Sequence, residues 1–351
     1  MDDSIKQAPL FSGYDERTTA DEVIRGIDLT GKTAIVTGGY AGMGCVITKV
    51  FAQAGATVIV PARNVKKAEI YLKGIPDVEI AAMDLMNPDS IDAFADWFTQ
   101  SGRPLHILIN NAGVMTAPLK RDARGNISQF STNNLGHFQL TAKLWPALKR
   151  ANGARVVSVS SRAHRLGAFN FDDPNFDRRE YNKEIAYAES KTGNILFTAE
   201  LDRRGQEHDI RAFAVHPGMV PHTNFGKENG FIRKITTRLF MMIARFAVKE
   251  IKDENGKPIK GEKPFFKTVE QGAATAVWCA TNLKLNHSGG VYCEDSDIAE
   301  AVSADSLSGK GVRPWALDIE QAQRFWEICE QYTGIMFVAD QDSDKFRNQR
   351  R

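Results

Sequence analysis

The sequence predicts an α/β fold, one doubly wound parallel sheet with helices on both faces. Three observations carry this. Short β-branched and apolar runs recur along the chain, helix-patterned stretches fill the gaps between them, and most runs are apolar on both faces instead of alternating. The runs are Thr33–Thr37, Thr57–Val60, Val78–Met83, His106–Ile109, Arg155–Val159 and Ile210–Val215. The first is followed by a helical pattern through Val46, Val50 and Phe51 that ends near Gly55. In such sheets ligands bind beyond the carboxyl ends of the strands, so residues just after each run are the first place to look for chemistry.

The length of 351 residues is enough to bury a large core. Residues 1–30 read as a polar N-terminal extension, 31–335 as the αβ domain and 336–351 as a polar tail. Within the domain, 219–264 reads as a lid or substrate segment. It contains Phe225, Phe231, Ile232, Leu239, Phe240 and Met241, and then a charged insert, Lys249–Lys263, with Asn255-Gly256 as a turn signal. Phe169–Glu180, rich in Asp, Asn, Phe and Arg, reads as an inserted loop. The charge balance, 45 basic against 43 acidic residues, gives no sign of a nucleic-acid surface. No run is long and apolar enough to span a bilayer, and the start of the chain lacks a signal-peptide pattern. Cys45, Cys279, Cys293 and Cys329 form no Cys-x-x-Cys pair and have no His at metal-ligand spacing, so reduced thiols in the cytoplasm and no metal are the expectation.

Thr37-Gly38-Gly39-Tyr40-Ala41-Gly42-Met43-Gly44 joins the first strand to the first helix. The chain must turn sharply here and let a pyrophosphate approach the backbone, and N–H groups at a helix start face phosphate charge. The spacing is T-G-x-x-x-G-x-G. Gly38, Tyr40, Gly42, Met43 and Gly44 are therefore candidate nucleotide contacts. The second strand ends Val60-Pro61-Ala62-Arg63 with no acid for ribose hydroxyls. Arg63 can pair with a 2′-phosphate, which favours NADP(H) over NAD(H); the alternative is a solvated arginine. Asp84, after the third strand, either accepts from an adenine amino group or caps the next helix.

Tyr187 and Lys191 lie four apart in a helical pattern and so share a face. A free phenol has a pKa of about 10, and a fixed cation beside it moves that value down. Such a phenol can exchange a proton with an alcohol or a forming alkoxide. Alone the pair is weak evidence. Set beside the Thr37–Gly44 turn, Asn110-Asn111-Ala112-Gly113, Ser160-Ser161 and Pro217-Gly218, in that order along the chain, it resembles the short-chain dehydrogenase/reductase family. Thr132–Phe138, Ser190–Phe197, His216-Pro217-Gly218 and the stretch from Lys267–Gly272 to Trp326 are similar to the branch of retinol dehydrogenases and their bacterial relatives.

The resemblance implies a Rossmann-type domain and an NADP(H)-dependent oxidoreductase acting on a carbonyl or alcohol, with an apolar substrate if the lid is as apolar as it reads. It implies that Tyr187 is the general acid/base and that Lys191 lowers its pKa and holds the nicotinamide ribose. Ser161 would bind the substrate oxygen and Asn133 would support a water-linked proton path. Asn111 would line the adenosine side, and Val220 would contact the nicotinamide amide. Family members are often dimers or tetramers, which leaves a homo-oligomer open.

Three departures stand out. The insert between Ser161 and Tyr187 should give an unusual pocket wall. The threonine expected after Pro217-Gly218 comes late, at Thr223. The apolar anchor of the membrane-bound retinol enzymes is not seen, which argues against retinoids and membrane residence. A nucleotide-sensing or scaffolding protein on the same fold is the alternative. A nucleotide-sugar epimerase is a weaker one, since those enzymes typically show G-x-x-G-x-x-G and lack Asn-Asn-Ala-Gly.

Overall fold

The computed structural model describes residues 7–221 and 266–337, together with the backbone of two short strands at 251–252 and 258–259. The six expected runs form β1 Thr33–Val36, β2 Thr57–Ala62, β3 Val78–Ala82, β4 Ile107–Asn110, β5 Ala154–Val159 and β6 Ile210–His216. Strands β7 Ile251–Lys252 and β8 Pro258–Ile259 pair as a separate antiparallel ribbon. The sequence-read turn Asn255-Gly256 between them lies outside the described residues, as do Thr223 and the apolar lid residues Phe225 to Met241.

Two further strands of the main sheet were not anticipated either. Val291–Glu294 (β9) extends the sheet in parallel beside β6, and Asp297–Ile298 (β10) closes the edge antiparallel. The order across the sheet is β10-β9-β6-β5-β4-β1-β2-β3. The helices are α1 Ala20–Ile24, α2 Gly42–Gln53, α3 Val65–Leu72, α4 Pro88–Gln100, α5 Ser128–Phe130, α6 Gly136–Lys149, α7 Lys183–Gly205, α8 Val269–Thr281 and α9 Ile319–Thr333.

The period-two alternation of strands explains why the runs read apolar throughout. Ile35, Ile59, Leu108 and Val156 point into one layer, against α4, α6, α7 and α9. Their neighbours Val36, Val58, Ile109 and Val157 point into the other, against α1, α2 and α8. Both faces must be apolar because both are covered.

The segment before β1 is packed onto the last strands. The Gln7 amide donates to the Tyr292 carbonyl at 2.8 Å and accepts from the Tyr292 N–H at 2.9 Å, and the Asp297 carboxylate accepts from the N–H groups of Leu10 and Ser12. The inserted stretch Phe169–Glu180 has no helix or strand, but it does not wall the pocket as expected. It folds away into the core because its aromatics bury there. Phe169 sits 4.8 Å from Phe325 between ring centroids, and Phe176 is buried. The Asp173 carboxylate, accepting from the N–H groups of Asp177 and Arg179, holds the turn.

Trp326 on α9 joins this layer together. Its ring lies 5.0 Å from Phe138 on α6, 5.8 Å from Phe197 on α7 and 4.8 Å from Phe337. Trp326→Ala should therefore cost about 3–5 kcal/mol, the range for truncating a large buried aromatic. Urea denaturation measures it; a loss under about 1 kcal/mol would mean that α9 contributes little to fixing α7.

Candidate active site

In the sheet order, β1 and β4 are neighbours although they are not consecutive, and the crossovers leave β1 and β4 toward opposite faces. Such a switch point opens a crevice at the strand ends. Thr37 ties its two sides. The Thr37 hydroxyl accepts from the N–H groups of Asn111 and Ala112, both at 2.9 Å, and the Asn111 amide donates to the Thr37 carbonyl at 2.8 Å. The turn that follows needs the left-handed backbone at Gly38 (φ +65°) and Gly42 (φ +53°), where a side chain would be strained.

Helix α2 then starts with no side-chain cap on its first N–H groups. By contrast α3, α4, α7, α8 and α9 are capped by Asn64, Asn87, Asn182, Thr268 and Asp318. Uncapped N–H groups at the end of a glycine turn fit the pyrophosphate of a dinucleotide.

A cavity of about 920 Å³ lies at these strand ends. Of the residues singled out in the sequence, Met43, Asn111, Ser161, Tyr187, Lys191 and Val220 line it. Gly38, Tyr40, Gly42, Gly44, Arg63 and Asp84 are not among its lining residues; Tyr40 packs instead against the core layer around α2. Arg63 is exposed just past the end of β2. Asp84 is not the helix cap: Asn87 fills that place, and the Asp84 carboxylate accepts from the Met86 N–H at 3.0 Å in a local turn.

Asn133 stands behind the wall at Gly113, in a widened π turn, Ser131–Leu135. Its side chain accepts from the Val114 N–H at 2.8 Å and donates to the Val114 carbonyl at 3.0 Å and the Ser190 hydroxyl at 2.9 Å.

The reacting groups come from β5 and α7. The Lys191 ammonium donates to the Val159 carbonyl at 2.8 Å and lies 5.6 Å from the centre of the Tyr187 ring. The Ser160 hydroxyl donates to the Lys191 carbonyl at 2.7 Å, which leaves Ser161, the next residue, facing the cavity together with Tyr187. The phenol does not move down as the sequence leads one to expect. Burial pushes it up, and the Ser161 hydroxyl offsets only part of that. Burial also brings the Lys191 ammonium down to about 7, because no carboxylate is there to hold its charge. The site therefore keeps Tyr187 as a neutral proton donor beside a buried lysine near its titration point.

This geometry fits what the chain is similar to. A family model described as short chain dehydrogenase matches residues 32–230. The chain belongs to the short-chain dehydrogenase/reductase family. It is 38% identical to a probable oxidoreductase of Streptomyces lividans, over 86% of this chain and 97% of that one. It is 33% identical to retinol dehydrogenase 12 of Mus musculus, over 89% of each.

Among solved structures, an uncharacterized protein from Mycobacterium paratuberculosis superposes with a TM-score of 0.66 at 28% identity, covering 90% of this chain and 98% of that one. A Pseudomonas aeruginosa RhlG/NADP complex shares the fold, with a TM-score of 0.57 at 22% identity and coverage of 76% of this chain and 95% of that one. The protein is thus an NAD(P)-dependent oxidoreductase acting on CH–OH or carbonyl groups. A purely scaffolding role is not favoured. Among the described residues, no helix is long and apolar enough to cross a membrane.

Three charged cavity-lining residues had escaped the sequence reading: Arg162, Arg165 and Arg313. The first two were visible as an i, i+3 pair right after Ser161; Arg313 carries no local signal.

The buried lysine has a consequence for stability. Its folded value of about 7 lies below its ordinary 10.5, so between those values the unfolded chain binds more protons and stability rises with pH. Lys191→Met removes this cost. The variant should be more stable than the parent at pH 7 by on the order of a few kcal/mol and so melt at a higher temperature, with the gap narrowing toward pH 10. Calorimetric melts at the two pH values test this; a gap that does not change with pH would show that the ammonium bears no burial cost.

Proposed function

We propose that the chain reduces a carbonyl compound, or oxidises the corresponding alcohol, with NADP(H), and that Tyr187 is its proton donor and acceptor. The observation that carries this is that Ser161 and Tyr187 share the wall of the cavity, with the Lys191 ammonium 5.6 Å from the phenol ring. A ligand oxygen placed between the two hydroxyls receives two hydrogen bonds where negative charge develops. The bound nicotinamide supplies or takes up the hydride. Tyr187 gives its proton to the forming alkoxide, and Lys191, near neutrality in charge, can replace that proton.

Lys191 and Val220 line the part of the cavity suited to the nicotinamide ribose and amide; Gly38, Gly42, Met43 and Gly44 would hold the pyrophosphate; Asn111 and Asp84 would border the adenosine. Asn133 acts as a positioning residue. Its amide is spent on Val114 and Ser190, so a water-linked proton path from Lys191 would run over its main-chain carbonyl. Met115, Leu166 and Phe266 on the cavity wall support a substrate with an apolar body.

NADP(H) is preferred in this reading because Arg63 is exposed beyond β2, next to the glycine turn, with no acidic side chain in ion-pair range among the described residues. Kinetics with both cofactors should give a kcat/KM for NADPH about tenfold or more above that for NADH, and Arg63→Leu should remove the difference. An NADH preference in the parent would overturn this assignment. Tyr187→Phe should lower kcat about a hundred-fold or more while cofactor affinity, read by fluorescence titration, stays unchanged. Near-normal turnover in that variant would refute the mechanism.

A further inference from the structure

We propose that Arg162, Arg165 and Arg313 form an anion-binding subsite in the cavity, so that the substrate carries a carboxylate or phosphate group besides its reacting carbonyl. The inference rests on reading this cavity as the hydride-transfer site. All three arginines line it, alongside Ser161 and Tyr187.

Arg162 and Arg165 sit on the single turn Arg162–Leu166 that follows Ser161, where residues three apart lie one above the other. Arg313 is brought in from the loop after β10 and fixed there. Its N–H donates to the His164 Nε2 at 3.3 Å, and its Nη1 to the Ser303 carbonyl at 2.6 Å. It is 3% exposed, and its Nε–H has no partner; the Nε–H groups of Arg162 and Arg165 are also buried without one.

Three guanidinium groups so close together repel one another, and burial together with the charges of Arg313 and Arg162 pushes the Arg165 guanidinium below its ordinary value. The surrounding groups relieve this only in part. His164 donates to the Ser161 carbonyl and is held by burial at about 4, hence neutral; buried His216 accepts from the Arg162 N–H and is also kept neutral. Lys267 and Lys310 are paired with Asp295. Exposed Asp305 acts on Arg313 from a distance, and the carboxylate that acts on Arg162 and Arg165 is Glu294. Its Oε1 accepts from the Gly311 N–H at 2.6 Å, and burial raises it toward the neutral form.

Among the described residues no acid forms an ion pair with any of the three arginines. Partly buried charge without a counter-ion is costly. A ligand anion would supply the missing charge, and the guanidinium fork matches carboxylate and phosphate oxygens. The 2′-phosphate of the cofactor is not that ligand in this arrangement. Arg63 follows β2, whereas Arg162 and Arg165 follow β5, with β4 and β1 between them in the sheet. With Met115 and Leu166 also on the wall, the substrate would have an apolar body and one acidic end.

The test is a chain-length series of methyl ketones ending in a carboxylate, a phosphonate or a neutral primary amide, assayed with NADPH. At the best length, kcat/KM for an acidic member should exceed that for its amide by about tenfold or more, and Arg162→Gln and Arg165→Gln should bring the ratio close to one without changing the KM for NADPH. Whether carboxylate or phosphonate leads tells which anion the site takes. Equal rates for acid and amide at every length would overturn the proposal, as would variants that raise only the KM for NADPH.

Calorimetric titration of saturated alkanoates into the NADP⁺-loaded enzyme separates the two levels. Arg165-dependent binding without turnover of any ketone would uphold the anion site and defeat the hydride-transfer reading. Neither binding nor turnover would defeat both.

Discussion

The carbonyl of Val159, the last residue of β5, is the point on which the site depends. It accepts from the Lys191 ammonium and from the Asn194 amide, while Ser160, the next residue, donates back to the Lys191 carbonyl. Three hydrogen bonds thus fasten one turn of α7 to one strand end. Because they are buried, they cannot be exchanged for water without loss, and they fix α7 in both rotation and height. Ser161 and Tyr187 meet as a consequence. A helix displaced by one residue would carry the phenol about 100° away from the hydroxyl.

The same turn of α7 is held from the other side by the π turn. Asn133 and Asn134 both reach Ser190, and Asn134 also reaches Asn194. Behind them His137 contacts the Thr37 hydroxyl at 3.0 Å and the Asn133 carbonyl at 3.3 Å. Burial holds His137 at about 4, so it is neutral and can serve as both donor and acceptor. A continuous polar network therefore runs from the glycine turn to the proton donor. It links the part of the cavity suited to a nucleotide with the part suited to chemistry, through groups whose hydrogen bonds are mostly made within the protein.

The charge pattern around that network is uneven. Lys191 is buried without a carboxylate, and Arg162, Arg165 and Arg313 form an electropositive wall nearby. Both arrangements cost stability in the protein alone, and both are offset when negative charge enters the cavity. A site built this way spends folding energy on preorganisation, the usual trade where charge must be stabilised as it develops.

Sequence alone determined the alternation of strands and helices, because a parallel sheet covered on both faces demands apolar runs and both the runs and their spacing are local properties. It also determined that Tyr187 and Lys191 are neighbours, since helical periodicity suffices for that, and that glycine occupies the turn after β1. Only the tertiary structure decided the rest. Strand β9 is a strand because β6 offers it an edge, and the two residues of β10, too few to show a period, pair in turn on β9. Asp84 is a plausible cap in the sequence until the backbone of the turn gives that place to Asn87. The phenol moved against the expectation drawn from its spacing to Lys191, because burial disfavours its charged form. Arg313 meets Arg162 and Arg165 across a long stretch of chain, and nothing local in the sequence records that meeting.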